Sequence, residues 1–376
     1  DSDGDQGLPV ARGTSRCGRE RIVTGHGRRR YSYDPVMAAA EHGDPVELDA
    51  AGHTVTISSP NKVPFPRLGS TKLDLARYYL SVAEPLIRWI HDRPVLLERY
   101  PNGVGQSSFF QKRIPSSSPE WLQTTTVETI NGTPSRALVI ADIAHVLWAA
   151  NLGVLGLHVW QYRVDRPQWS DELRIDLDPS PGQTFEHVRE AALLVRLYLA
   201  EHDIRSYVKT TGSKGIHVYV RVADGFDSFA VRGASVVIAR DLAAEYPDVF
   251  TDQWWKELRE GKVFVDFNQN APHKNVFGAW GVRARVGAQV STPIGWDELG
   301  SIVPDDLTLR TVPARLAEHG DPWADMDHAP QDIGPFVERF AASIADGVPD
   351  APWPPVYPKM PNEAPRVQPS RARQSD

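Results

Sequence analysis

A chain of 376 residues with 41% hydrophobic content can bury a large core, as one long or two ordinary domains. Its formal net charge of −7 argues against a nonspecific nucleic-acid coat, although a basic groove is compatible with it because the local field governs binding. Cys17 is the only cysteine, which excludes an internal disulfide and a cysteine metal cluster and fits a reducing cytoplasm.

In chain order, the polar, acidic start Asp1-Ser2-Asp3-Gly4-Asp5 is not a signal peptide, and opening on Asp rather than Met fits a fragment or a chain without its initiator. Residues 1–45 lack sustained periodicity. Seven arginines between Arg12 and Arg30 face the single acid Glu20, which reads as a basic, flexible extension. Val55 to Ile57 opens the ordered core. Leu73 to His91 has helical spacing, with Leu75, Tyr79, Val82 and Leu86 on one side. Strands are expected around Val95 to Arg99 and Ser107 to Lys112, then a helix around Asp142 to Leu152 leading to a strand with His158. The most apolar stretch, Ala137 to Trp160, is interrupted by Asp142, His145, Asn151 and His158, so it reads as a buried helix and strand and not as a membrane span.

Thr184 to His202 repeats Phe185, Val188, Ala192, Val195 and Leu199 at helical spacing, with Thr184 placed to cap it. A short strand around Ile204 to Val208 and a helix over Ser228 to Tyr246 follow. The strand-helix-strand-strand-helix-strand succession resembles an RNA-recognition-like sheet with acids on its open face. Beyond Ala314, Pro, Asp and Ala dominate, and Pro349 to Asp376 holds eight prolines, as in an extended strap or disordered tail. The organisation expected is an N-terminal extension (1–45), a two-lobed core (46–313) and a Pro-rich extension (314–376).

The chemistry concentrates in three runs. In Leu173-Arg174-Ile175-Asp176-Leu177-Asp178-Pro179, a strand would send both carboxylates to one face. Such neighbours raise each other's pKa unless a cation neutralises them, and hard oxygen ligands suit Mg²⁺ or Mn²⁺. Downstream, Lys209-Thr210-Thr211-Gly212-Ser213-Lys214-Gly215-Ile216-His217 combines a small, glycine-containing loop, able to approach phosphate oxygens, with a strand presenting His217 opposite its aliphatic residues. In Lys262-Val263-Phe264-Val265-Asp266-Phe267-Asn268-Gln269-Asn270, a short apolar strand delivers a third acid. Taken singly, each piece has a plain alternative: a strand-end turn for Asp266, a satisfied core histidine for His217, a hairpin for residues 212–215. Three acids on strand ends with a basic phosphate loop between them weigh against three unrelated plain readings.

These three runs, in this order, resemble the archaeo-eukaryotic primase superfamily, and most closely the polymerase module of bacterial ATP-dependent ligases of the ligase D type. The likeness extends from about Thr54 to about Pro313. It includes Ser59-Pro60-Asn61-Lys62-Val63, Gly69-Ser70-Thr71-Lys72, Tyr100-Pro101-Asn102-Gly103 and Phe109-Phe110-Gln111-Lys112. The resemblance implies an α+β, two-lobed primase-polymerase core in stand-alone form: an RNA-recognition-like antiparallel sheet carrying the acids, and an N-terminal α/β lobe. It implies a template-directed nucleotidyltransferase using NTP or dNTP, in which Asp176, Asp178 and Asp266 hold two divalent cations, Mn²⁺ or Mg²⁺, about 3.5–4 Å apart.

By the same resemblance, Thr211, Ser213, Lys214 and His217 belong to the triphosphate subsite, as do His158, Arg259 and Arg283. Gln269 is a candidate for contacting a ribose 2′-hydroxyl. Lys62 and Lys72 match a pair that binds the 5′-phosphate across a gap, a salt-sensitive contact; two solvated lysines are the plain alternative. Phe109 and Phe110 match aromatics that stack on template, with core packing as their alternative. Glu98 stands where ligase-fused relatives tend to carry a basic residue, and an acid there weakens a phosphate contact. No Lys-x-Asp-Gly ligase motif occurs in the chain.

The function expected is gap filling or end extension in break repair by non-homologous end joining, with ribonucleotides favoured. The partners expected are gapped or broken DNA with a 5′-phosphate, a separate ATP-dependent DNA ligase and end-binding proteins, with no membrane. The setting is a bacterial cytoplasm, at the nucleoid. A primer-independent primase needs the same acids. An idle end-bridging scaffold has no physical need for a carboxylate cage, and a nuclease or sugar-nucleotide transferase accounts for Asp176 and Asp178 but not for the phosphate loop.

Overall fold

A computed structural model describes residues 43–128 and 134–354. The arginines between Arg12 and Arg30 and the prolines beyond Pro354 lie outside the described residues. A hairpin of β1 (Val46–Ala50) and β2 (His53–Ile57) comes first. It is followed by β3 (Arg93–Arg99), β4 (Phe109–Gln111), β5 (Thr124–Glu128), β6 (Pro134–Ile140) and β7 (Val154–Trp160). The second half supplies β8 (Glu172–Asp178), β9 (Tyr207–Thr210), β10 (Ile216–Arg221), β11 (Phe250–Thr251), β12 (Val263–Asp266), β13 (Asn275–Phe277) and β14 (Pro293–Ile294). The helices are α1 (Lys72–Ser81), α2 (Ala83–Ile90), α3 (Ile143–Asn151), α4 (Phe185–Glu201), α5 (Ser228–Glu245), α6 (Val312–His319) and α7 (Gly334–Ala345).

Two sheets result. The first runs β13-β7-β3-β6-β5, with β4 paired to the end of β3; the second runs β11-β12-β8-β10-β9-β14, antiparallel except for the β11–β12 pair. The chain crosses between sheets three times near the site: from β7 to β8, back from β12 through the short 3-10 turn Phe267–Asn270 to β13, and again from β13 to β14. One continuous apolar core spans both sheets.

Strand β8 shows how the second sheet is organised. Leu173, Ile175 and Leu177 are fully buried on one face, on which α4 and α5 pack. Burying each contributes about 1.5–3 kcal/mol. The opposite face carries Glu172, Arg174, Asp176 and Asp178, and the first two are also buried. Glu172 pairs with Arg174 and Arg93 at 3.0 Å each, while Arg93, Arg163 and Arg221 converge on Asp171. A buried ion network thus grades, within one strand, into carboxylates that open onto solvent.

Two expectations shift. The helix over Leu73 to His91 is two helices hinged at Val82 (φ −112°, ψ 18°). Pro85 explains this, because it lacks the N–H that would bond Ser81 and its ring crowds that carbonyl. The region beyond Ala314 carries more than an extended strap: α6 and α7 form, and α7 lies on α5 where Gly233 leaves room for Phe340. The chain then runs extended to Pro354, with Arg232 held by Asp350 and Ala351 and stacked 3.8 Å over Trp353.

Candidate active site

Pairing register builds the centre. Asp266 on β12 faces Asp176 on β8, Asp176 faces His217 on β10, and His217 faces Lys209 on β9. Asp178, two residues on, shares the face of Asp176. One ligand oxygen from each of Asp176, Asp178 and Asp266 lies within 4.8 Å of the others.

This clustering is electrostatically unfavourable without a counter-charge. Burial pushes Asp176 up to about 6, against the pull of Lys209 and Arg283. The charge of Asp176, then burial, pushes Asp178 up to about 7. Burial, then the charges of Asp176 and Asp178, pushes Asp266 up to about 7. Three mutually repelling carboxylates with only oxygen donors fit hard divalent cations of the Mg²⁺ or Mn²⁺ type.

The surrounding groups orient these acids. Asp266 accepts from the Asn268 N–H at 3.0 Å and from Gln269 Nε2 at 2.9 Å. His217 Nε2 lies 3.2 Å from Asp176 Oδ1, and burial holds the imidazole well below its ordinary pKa. Lys209, which sequence reading left without a role, is fully buried with its Nζ 2.7 Å from Ser291 Oγ, and burial lowers its pKa strongly. Its only sequence signal was its place opening the phosphate loop.

That loop, residues 211–215, is folded around one hydroxyl. Thr211 Oγ1 accepts from the Ser213 and Gly215 N–H groups, each at 3.2 Å, and donates to the Gly215 carbonyl. Gly212 sits at φ +69°, and a Cβ there would come 2.6 Å from Arg283 Cγ, so glycine is required both for backbone shape and for the arginine's approach. Lys214 is exposed at the tip, and Ser213 Oγ accepts from Arg285, a residue the motif reading missed. Arg283 stacks 4.2 Å over Phe277 within electrostatic reach of Asp176. Arg259 stacks 3.8 Å over Phe264, bonds the carbonyls of Gln253 and Trp254, and feels Asp178 and Asp266. Across the cleft on β7, His158 lies between the rings of Phe110 and Phe277 at 5.4 and 5.5 Å.

The two lysines meet as a pocket apart from the acids. Lys72 Nζ, beneath the surface, donates to Ser58 Oγ, the Asn151 carbonyl and Asn151 Oδ1 at 3.0–3.2 Å, and Lys62 donates to the Pro101 carbonyl. Burial, then Lys62, lowers Lys72 to about 8. Both line a cavity of about 360 Å³ together with Arg99, Ser59 and Gly103. Phe109 and Phe110 are 47% and 49% exposed, and Arg99 lies 5.3 Å over Phe109, so the aromatic pair runs between the lysine pocket and His158. Arg99, Ser58 and Asn151 had no periodic or motif signal that singled them out.

The sequence profile of the LigD primase-polymerase domain matches residues 71–323. The chain belongs to the LigD primase-polymerase domain family. It is a nucleotidyltransferase domain by that membership. Its LigD-type sequence is 36% identical over 278 residues to the multifunctional non-homologous end joining protein LigD of Mycolicibacterium smegmatis, covering 73% of this chain and 36% of that protein. It is 31% identical over 322 residues to the LigD protein of Pseudomonas aeruginosa, covering 85% of this chain and 38% of that protein. The chain therefore spans little more than a third of the length of these relatives. The LigD-type fold is similar to the polymerase domain of Mycobacterium tuberculosis ligase D in complex with DNA, with a TM-score of 0.69 and 32% identity, covering 74% of this chain and 99% of that one. Among the described residues, no helix is long and apolar enough to cross a membrane.

Proposed function

We propose that this chain is a template-directed polymerase that fills short gaps or extends ends during non-homologous end joining, favouring ribonucleotides. The observation that carries the proposal is the acid row beside the Arg283-lined phosphate loop, with a preformed two-lysine pocket joined to the same cleft by Phe109 and Phe110.

In this reading Asp176, Asp178 and Asp266 hold two divalent cations, which supply activation of the primer 3′-hydroxyl and charge neutralisation of the triphosphate and leaving pyrophosphate. His217 and Gln269 keep Asp176 and Asp266 aimed. Ser213, Lys214, Arg283 and Arg259 bind the polyphosphate, with Thr211 shaping the loop through its internal hydrogen bonds. His158 borders the nucleotide. One N–H of the Gln269 amide is committed to Asp266, so a ribose 2′-hydroxyl contact from this residue falls to its second N–H or its carbonyl oxygen. Lys62 and Lys72 take the downstream 5′-phosphate, and Phe109 and Phe110 stack on template bases, a contact worth about 1–3 kcal/mol per base. A separate ATP-dependent ligase then seals the product, alongside end-binding proteins at the bacterial nucleoid.

The test is primer extension on gapped DNA with and without a 5′-phosphate, using ribo- and deoxynucleotides with Mn²⁺ and Mg²⁺. Extension that is stimulated by the phosphate, prefers ribonucleotides and is lost in the Asp176→Ala, Asp178→Ala double variant is the expected result. Intact DNA binding without extension under either metal overturns the polymerase in favour of an end-bridging scaffold.

A further inference from the structure

A carboxylate sits inside the same cleft where polyphosphate binding calls for cations. Glu98, on β3, places Oε2 3.2 Å from His158 Nε2, while its Oε1 accepts from the Tyr100 hydroxyl at 2.7 Å and the Ser108 hydroxyl at 3.2 Å. Neither partner is lost to bulk water, since the Glu98 and His158 side chains are 18% and 19% exposed. Glu98 stands opposite Gly156 on β7, and His158 is two residues along that strand. A Cβ at Gly156 would come 2.8 Å from Glu98 Cβ and Oε2 and 3.1 Å from His158 Nε2. The missing side chain is what lets the carboxylate lean across the strand pair to the imidazole.

The pair reaches the phosphate loop through aromatic contacts. His158 meets the Phe277 ring edge-on, Arg283 lies over that ring, and the Arg283 stem rests against Gly212. Arg283 is therefore drawn by two acids, Asp176 on the catalytic sheet and Glu98 on the facing sheet. The rings of Phe110 and Phe277 already hold His158 in place. What Glu98 adds is a negative charge next to two groups that a polyphosphate would engage, and like charges in a partly desolvated cleft repel with little screening.

We propose that Glu98 is a built-in counter-charge of the triphosphate subsite: it occupies His158 before the nucleotide arrives, with Arg283 beyond the Phe277 ring, and is displaced from His158 by the incoming triphosphate. It is a positioning residue that sets nucleotide affinity, holding the His158 side of the subsite ordered at the expense of tight binding. The inference deepens the polymerase reading and rests on it.

The experiment titrates the full chain with inorganic tripolyphosphate in Mg²⁺ by calorimetry and measures KM and kcat for nucleotide in primer extension. Glu98→Gln keeps the shape and removes the charge. It is expected to tighten tripolyphosphate binding about five- to tenfold and to lower KM by a similar factor, with the change falling in KM and not in kcat. Glu98→Asp, which restores the charge, should return both values toward those of the parent, and the gap between parent and Glu98→Gln should narrow as salt rises. Equal or weaker tripolyphosphate binding by Glu98→Gln overturns the counter-charge whether or not primers are extended. Tighter binding in a protein that extends no primer overturns the polymerase reading and leaves the counter-charge standing.

Discussion

Asp176 stands directly opposite Asp266 in the β8–β12 pairing, and the groups bonded to these two acids are His217, Asn268 and Gln269, not a lysine or arginine. The cleft therefore holds concentrated negative charge that nearby Lys209, Arg283 and Arg259 pull on without a direct ion pair.

A pH dependence follows. Asp176, Asp178 and Asp266 are raised to about 6, 7 and 7, above the unfolded value, so the metal-free folded state binds protons that the unfolded chain has released. That contribution to stability is full below the unfolded pKa and is lost as pH rises through 6 to 7. The metal-free Tm should accordingly rise as pH falls from 8 to 6. Added Mn²⁺ should raise Tm most at pH 8 and progressively less toward pH 6, where protons compete for the same oxygens. Thermal melts with and without metal across this range check both trends.

Asp178→Asn should raise the metal-free Tm by about 1–3 °C while abolishing extension, because the repulsion from Asp176 is the leading cause of the raised Asp178 pKa. An unchanged or lowered Tm in calorimetry would show that the acids are not strained against one another.

Stimulation by a downstream 5′-phosphate should have its own pH limit. Lys72 is lowered to about 8 by burial and by Lys62, so it carries its charge below pH 8 and loses it above. The ratio of extension with to extension without the phosphate should fall from about pH 7.5 to about 9, and Lys72→Ala should bring the ratio to about one without changing nucleotide KM.

Glu172→Ala removes the shared partner of Arg93 and Arg174, both fully buried. Arg93 keeps Asp171, but Arg174 loses its ion-pair partner, and uncovering that buried guanidinium should cost about 3–5 kcal/mol. Urea denaturation measures this, with loss of solubility as the extreme outcome.

Much of the site was legible because strand periodicity is local. Asp176 and Asp178 share a face in any strand, and His217 falls opposite Ile216 and Val218 without reference to anything distant. The short apolar run before Asp266 likewise announced a strand end. Lys209 escaped assignment because a buried lysine looks like a solvated one until its neighbours are known. The hinge at Val82 was readable from Pro85 but was hidden by an apolar repeat that continues across it. Helix α7 has Phe336 as its only buried residue, so its helical state depends on docking against Gly233 on α5, more than a hundred residues earlier.

The amino-acid sequence by itself determined the strands that carry the motifs, the order of the acid and phosphate-loop motifs and the family, since these depend on residue type and spacing within short windows. Only the tertiary structure decided which groups face one another: Asp266 beside Asp176, Glu98 leaning over Gly156 to His158, Arg283 seated on Gly212, and Lys62 joined to Lys72 in one cavity. The reason is physical. Electrostatic interaction depends on distance and burial, and both are set by how two sheets and the crossovers between them pack.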